Sequence, residues 1–303
     1  MQDQKTETGT AKAQDTETKK RRNGKKFLRI LLILAVCISA AVFAYAQYTK
    51  THYKVTFYQE TSKKVSENIR IAVISDIHNR EYGEKNEKLI SEISSLKPDL
   101  ILFPGDMVIR EQDDYQAVLD LVSEASKIAP CYGVLGNHES ERIYYGDDKD
   151  LPSKFENAGL KILRNATEKI RIGKDTVQLI GVEGTSYGFE EYGGREFMDK
   201  AKIDPSALSI VMAHIPILFE PQLSGYDFDL GIAGHTHGGI VVLPFIGGLY
   251  SSEEGLFPKF TSGKYILEKQ QVLVISAGMG DSKIFPPRIN NIPELVVIDI
   301  DRY

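Results

Sequence analysis

Six histidines occur in these 303 residues, and five of them fall in short polar clusters directly after an apolar run. The clusters are Asp76-Ile77-His78, Gly136-Asn137-His138-Glu139, Ala213-His214 and Gly234-His235-Thr236-His237, and Gly105-Asp106 adds a further carboxylate. Side chains two apart on an extended chain project the same way, so Asp76 with His78, and His235 with His237, can each close on one ion. Asp76, His78, Asp106, Asn137, His214, His235 and His237 together offer more donors than one closed tetrahedral ion takes. The set suits two divalent cations ~3.5–4 Å apart, with open positions for water. Mixed nitrogen and oxygen donors without a thiolate point to Mn, Fe or Zn rather than Ca or Mg. Two Asp charges against two dications leave a centre of about +2, an attractor for phosphate. A hydroxide generated between the cations can attack phosphorus in line. His138 stands beside a ligand without being needed as one, which suits it to protonate the leaving oxygen. For Glu139 there remain two roles, orienting a neighbour or capping the helix that follows.

Such residues must be delivered by the ends of buried strands. Residues 69–75, apolar apart from Arg70 and Ser75, and the charge-free run 100–103 read as strands. Leu89, Ile90, Ile93 and Leu96 recur at helical spacing until Pro98, and Tyr115, Val118, Leu119 and Val122 mark a second helix before a strand at 131–135. That alternation calls for parallel pairing with right-handed crossovers. Further strands are expected at 170–172, 177–180, 209–213, 229–233, 265–268, 272–276 and 294–300. Two layers of sheet with helices outside bury so many strands, an α/β (or α+β) two-layer β-sandwich flanked by helices. Open α/β sheets build their sites at the carboxyl ends of strands, where every candidate residue falls. The Asn137-His138 pair is read as a tight turn.

Four segments are expected: a disordered basic tail (1–29), a membrane span (30–48), a linker with a candidate edge strand at 54–58 (49–67) and the main domain (68–303). The tail is polar and has no apolar period. The span contains no charge and has the ~20-residue length that a bilayer-crossing helix needs. Basic residues ahead of it place the N-terminus in the cytoplasm and the domain outside, as a single-pass protein of the cell membrane. A cleaved secretory signal is the alternative, since Ala44-Tyr45-Ala46 has the spacing of a cleavage site. Residues 1–30 hold nine Lys/Arg and four Asp/Glu, leaving 28 basic and 38 acidic residues beyond. A body near -10 argues against nucleic acid as a partner. Cys37 and Cys131 lie in different segments and do not staple the fold.

Taken in order, Asp76-x-His78, Gly105-Asp106, Gly136-Asn137-His138-Glu139, His214 and Gly234-His235-Thr236-His237 resemble the motifs of calcineurin-like metallophosphoesterases. The resemblance spans residues 68–303 and implies that family's fold, a β-sandwich flanked by helices. It implies Asp76, His78, Asp106 and His237 on one metal, and Asp106, Asn137, His214 and His235 on the other, so that Asp106 bridges. His138 would lie near the leaving group. Gly278-Met279-Gly280, Pro287-Arg288 and Pro293-Glu294-Leu295 are similar to a membrane-anchored bacterial branch with a phosphodiesterase-like domain. Ile240 departs from the Gln common among such relatives. Met107-Val108-Ile109-Arg110 stands where protein serine/threonine phosphatases carry Asp-Arg-Gly.

The resemblance implies hydrolysis of a phosphodiester, with an envelope or lipid-linked phosphate as the expected substrate. A catalytically idle phosphate- or metal-binding surface protein and an extracellular nuclease are the alternatives. Arg288 is a candidate substrate contact as a bidentate phosphate donor, against the plainer reading of an exposed loop arginine. Residues 240–250, with Phe257 and Phe260, are either core packing or an apolar lip for a lipid-linked substrate.

Overall fold

In the computed structural model, residues 4–184, 188–251, 253–280 and 288–303 are described. The N-terminal stretch forms one helix, α1 (Gln4–Thr49). The polar tail was expected to lack structure, yet helix runs through it from Gln4. The residues between 4 and 29 are mostly Ala, Gln, Glu, Thr, Lys and Arg without a proline, so a helix nucleated in the apolar run can propagate backwards. Its part Arg22–Thr49 is long and apolar enough to cross a membrane.

The chain divides into two compact units, Met1–Tyr48 and Thr49–Tyr303. The second opens with β1 (Lys54–Ser62), β2 (Ile69–Val73), α2 (Glu87–Leu96), β3 (Leu100–Phe103), α3 (Gln116–Ser126) and β4 (Cys131–Gly133). It continues with α4 (Asn137–Tyr145), α5 (Leu151–Asn157), β5 (Leu160–Ile162), β6 (Ala166–Ile172), β7 (Asp175–Gly181), α6 (Gly194–Lys200), β8 (Leu208–Met212) and β9 (Leu230–Ala233). Two short hairpins follow, β10 (Val242–Leu243) with β11 (Gly247–Gly248), and β12 (Tyr250–Ser251) with β13 (Gly255–Leu256). The chain closes with β14 (Gly263–Ile266), β15 (Val272–Ile275) and β16 (Glu294–Arg302).

Two six-stranded sheets result, ordered β1-β16-β2-β3-β4-β5 and β14-β15-β9-β8-β7-β6. Apolar residues of both sheets, among them Ile71, Leu102, Leu179, Ile210 and Val296, meet in a central core. The outer face of the first sheet packs Ala72, Ile101 and Phe103 under Leu89, Ile93, Val118 and Val122 of α2 and α3. Val211, Ile275 and Met198 of α6 share a third core on the other side. This is the expected two-layer sandwich flanked by helices. The edge strand expected at 54–58 runs nine residues in register with β16, so much of the expected linker is built into the sandwich.

β2, β3 and β4 are mutually parallel, as are β8, β9 and β15. Each of the five loops that carry the candidate residues leaves the carboxyl end of one of these strands.

Candidate metal centre

Tight reversals bring the donors inward as soon as each strand ends. Asp76, His78, Asp106, His235 and His237 all have φ between 46° and 70°. That left-handed conformation costs an L-residue about 1–2 kcal/mol, and such strain gathers where a ligand constellation over-determines the backbone. Glycines supply the room. A Cβ on Gly136 would run into Asp106 Oδ1, and one on Gly234 into the Ser75 hydroxyl and Asp76 Oδ2.

The seven donors converge in two groups that share one carboxylate. In the first, the Nε2 atoms of His78 and His237 stand 3.2 Å apart. His237 Nε2 lies 3.8 Å from Asp76 Oδ1, and His78 Nε2 lies 3.8 Å from Asp106 Oδ2. In the second, His235 Nδ1 is 2.9 Å from Asn137 Oδ1 and 3.2 Å from His214 Nε2, which is itself 3.1 Å from Asp106 Oδ2. Asp106 Oδ1 accepts the His138 amide at 3.0 Å, which leaves Oδ2 facing both groups.

This donor set fits divalent cations. His214 Nδ1 donates to the Pro104 carbonyl at 2.8 Å, since a carbonyl can only accept. Its remaining nitrogen therefore points a lone pair at a carboxylate oxygen unless a proton or a cation lies between. Burial opposes a charge on His214, but the Asp106 carboxylate outweighs it and lifts the imidazole to about 10. Burial also works against the Asp106 charge, yet His214 and His78 hold that carboxyl well below its usual range. Burial pushes His78 down to about 3, and burial, with His78 and the Arg288 guanidinium close by, keeps His237 well below an ordinary histidine. Both are thus neutral, the form that coordinates metal. Nδ1 of His78 is buried and has no hydrogen-bond partner among the described residues.

Asn137 and His138 are not on a tight turn as expected, but in the first turn of α4. Its remaining residues are polar except for Ile143, Tyr144 and Tyr145, so no apolar stripe announces this helix. His138 Nδ1 accepts the Arg110 amide at 3.0 Å. In the neutral ring the proton is therefore on Nε2, the nitrogen left for a leaving group. The ring stands edge-on to His78, with centroids 4.9 Å apart.

Glu139 is fully buried and holds the two ligand loops together. Its Oε2 accepts the amides of Asp106 (2.9 Å) and Gly136 (2.8 Å), and Oε1 that of Val108 (2.9 Å). It closes the N-terminal cap of α4. Burial and the Asp106 charge raise its carboxyl to about 7, against the pull of the Val108 and Gly136 amides. Glu139→Gln keeps one accepting oxygen and turns an NH₂ toward backbone N–H groups. A loss of about 1–3 kcal/mol of stability, with weaker metal retention, is expected from thermal melts and elemental analysis. A variant with unchanged Tm and metal content would show that the carboxylate is not needed.

Arg288 requires a correction. Rather than reaching for substrate from an exposed loop, it is 2 % exposed and lies behind the ligands. Its guanidinium donates to the carbonyls of Ala277 (2.7 Å) and Gly280 (2.7 Å) and stands 3.0 Å from His237 Nδ1. Asn291 and Glu253 support the site in the same way, and nothing in the sequence reading singled them out. Asn291 Nδ2 donates to the His237 carbonyl at 2.6 Å, and Glu253 Oε1 lies 3.4 Å from His235 Nε2. Second-ring partners of this kind fix ring orientation. Only long-range carbonyl and carboxylate placement identifies them. The expected apolar lip divides: Ile240 and Phe260 are buried, whereas Phe245, Ile246 and Phe257 are exposed, as is Leu256 beside them.

The chain is 25 % identical to the uncharacterized metallophosphoesterase YkuE of Bacillus subtilis, over 85 % of this chain and 89 % of that one. It is 24 % identical to the phosphodiesterase YaeI of Escherichia coli, over 76 % of this chain and 82 % of that one. It is also 26 % identical to the uncharacterized metallophosphoesterase Cj0846 of Campylobacter jejuni, over 78 % of this chain and 60 % of that one. The profile of the calcineurin-like phosphoesterase family matches residues 69–239, more than half of the sequence and every loop that carries a donor. The chain therefore belongs to the calcineurin-like phosphoesterase family and is a metal-dependent phosphoric ester hydrolase.

Proposed function

We propose that the chain is a phosphodiesterase with two divalent cations, Mn, Fe or Zn, acting on a phosphate ester of the cell envelope. The observation that carries this reading is the shared carboxylate, with Asp106 Oδ2 3.1 Å from His214 Nε2 and 3.8 Å from His78 Nε2. Asp76, His78, Asp106 and His237 would hold one cation, and Asp106, Asn137, His214 and His235 the other. When bound, the cations would supply Lewis acidity toward the phosphoryl group and lower the pKa of water. Asp106 and Asp76 set the charge of the centre, so that a phosphate anion is attracted and its charge is offset. His138 then delivers the proton on Nε2 to the departing alkoxide. The N-terminal helix supports an envelope location, with its basic flank in the cytoplasm and the enzyme outside. The excess of acidic residues beyond residue 30 disfavours a polynucleotide as substrate.

The test is hydrolysis of bis(p-nitrophenyl) phosphate by the full-length chain, stripped with a chelator and reloaded with Mn, Fe(II) or Zn. Activity should vanish on stripping and return as metal content approaches about two ions per chain. No turnover of diester or monoester with any of these metals would sink the reading and leave a phosphate-binding surface protein.

A further inference from the structure

The second unit is entered from its ligand end. Lys54, the first residue of β1, pairs in register with Glu294, the first residue of β16, and its amide donates to the Pro293 carbonyl at 2.9 Å. Glu294 in turn donates its amide to Gly278, and the next residue, Met279, donates to Ser75, the neighbour of Asp76. Tyr53 stands edge-on against Tyr82, whose hydroxyl donates to the Met279 carbonyl. Only residues 50–53 separate α1 from β1, a tether of about 14 Å even when fully extended. β16 runs away from this end for nine residues, roughly 30 Å. The ligand end is therefore the end of the second unit that the short tether ties to whatever precedes Thr49.

Two hairpins at the same end carry exposed apolar side chains, Phe245 and Ile246 at the tip of the first and Leu256 and Phe257 where the second ends. The β10–β11 and β12–β13 hairpins follow the His235-Thr236-His237 loop directly, and the second brings Glu253 to 3.4 Å from His235. Leu249 connects them, its amide donating to the Val241 carbonyl and its carbonyl accepting the Phe257 amide, both at 2.8 Å. Phe245 is fully exposed, and Ile246, Leu256 and Phe257 are each more than 60 % exposed. Large aromatic and aliphatic side chains grouped in this way bind at the headgroup–acyl boundary.

We propose that Phe245, Ile246, Leu256 and Phe257 insert into the bilayer that the N-terminal helix spans, so that the metal centre faces lipid headgroups and takes a headgroup phosphodiester as substrate. The proposal rests on the anchored phosphodiesterase reading and adds to it a docking surface, an orientation and a substrate class.

The chain contains no tryptophan, so Phe245→Trp creates a single fluorescent reporter. With full-length protein in phosphatidylcholine vesicles, brominated acyl chains should quench this tryptophan about twofold or more, because an inserted ring sits ~5–10 Å deep. Tyr303→Trp, just beyond the far end of β16, should not be quenched. Equal, unquenched emission from both reporters would overturn the docking proposal. Quenching should persist when Asn137→Ala is added, so that loss of catalysis and loss of docking are read separately. Changing all four apolar residues to Ser should lower turnover of a vesicle-borne phosphodiester about tenfold and leave bis(p-nitrophenyl) phosphate hydrolysis unchanged. Equal turnover of the vesicle substrate by both proteins would overturn the headgroup assignment.

Discussion

Asp106→Asn is expected to abolish phosphoesterase activity and empty the centre of both metals. A carboxylate about 4 Å from a unit charge contributes roughly 4 kcal/mol at an effective dielectric near 20, or about 10³-fold in affinity, and Asp106 faces both groups of ligands. The variant keeps the size of the side chain and can still accept the His138 amide, which Oδ1 now takes at 3.0 Å. Unfolding is therefore not the expected cause of the loss. Elemental analysis beside a thermal melt distinguishes the outcomes. A folded Asp106→Asn protein that retains two ions and wild-type turnover would refute the shared-ligand arrangement.

His138→Ala should act differently, lowering kcat by about 10²–10⁴-fold while two metals remain bound. The loss should depend on the leaving group. A p-nitrophenolate departs readily without a proton, so a chromogenic diester should lose little, whereas an alkyl diester should suffer the full loss. Equal losses on both substrates would mean that the imidazole serves position or metal binding rather than proton delivery. The Arg110 amide occupies Nδ1 and leaves the proton of the neutral ring on Nε2.

The strands and their polar termini were legible because β3, β8 and β9 are short charge-free runs and β2 carries only Arg70, each followed by a donor. Residues Leu100–Phe103 form the strand expected of them, residue for residue. α4 was not legible. Its nine residues lack an apolar period, and it is held by the Glu139 cap and by the buried Arg142, which donates to the carbonyl of Gln112 at 2.9 Å. Phe257 and Phe260 look alike in sequence, yet one is exposed and the other packs on Tyr265 at 5.2 Å between centroids. Arg288 was misread because its carbonyl partners at residues 277–280 are set by the fold of the β15 end. The left-handed turns of the ligands were also hidden, since Asp and His prefer that region only mildly.

Each group of donors draws on both sheets of the sandwich. Asp76, His78, Asp106 and Asn137 follow strands of the first sheet, and His214, His235 and His237 follow strands of the second. A cation in either group is therefore a rivet through the two layers as well as a reagent. Anything that binds the folded state alone stabilises it by mass action, so the mechanical integrity of this end of the sandwich would follow the supply of metal. Scarcity would then loosen the enzyme as well as silence it.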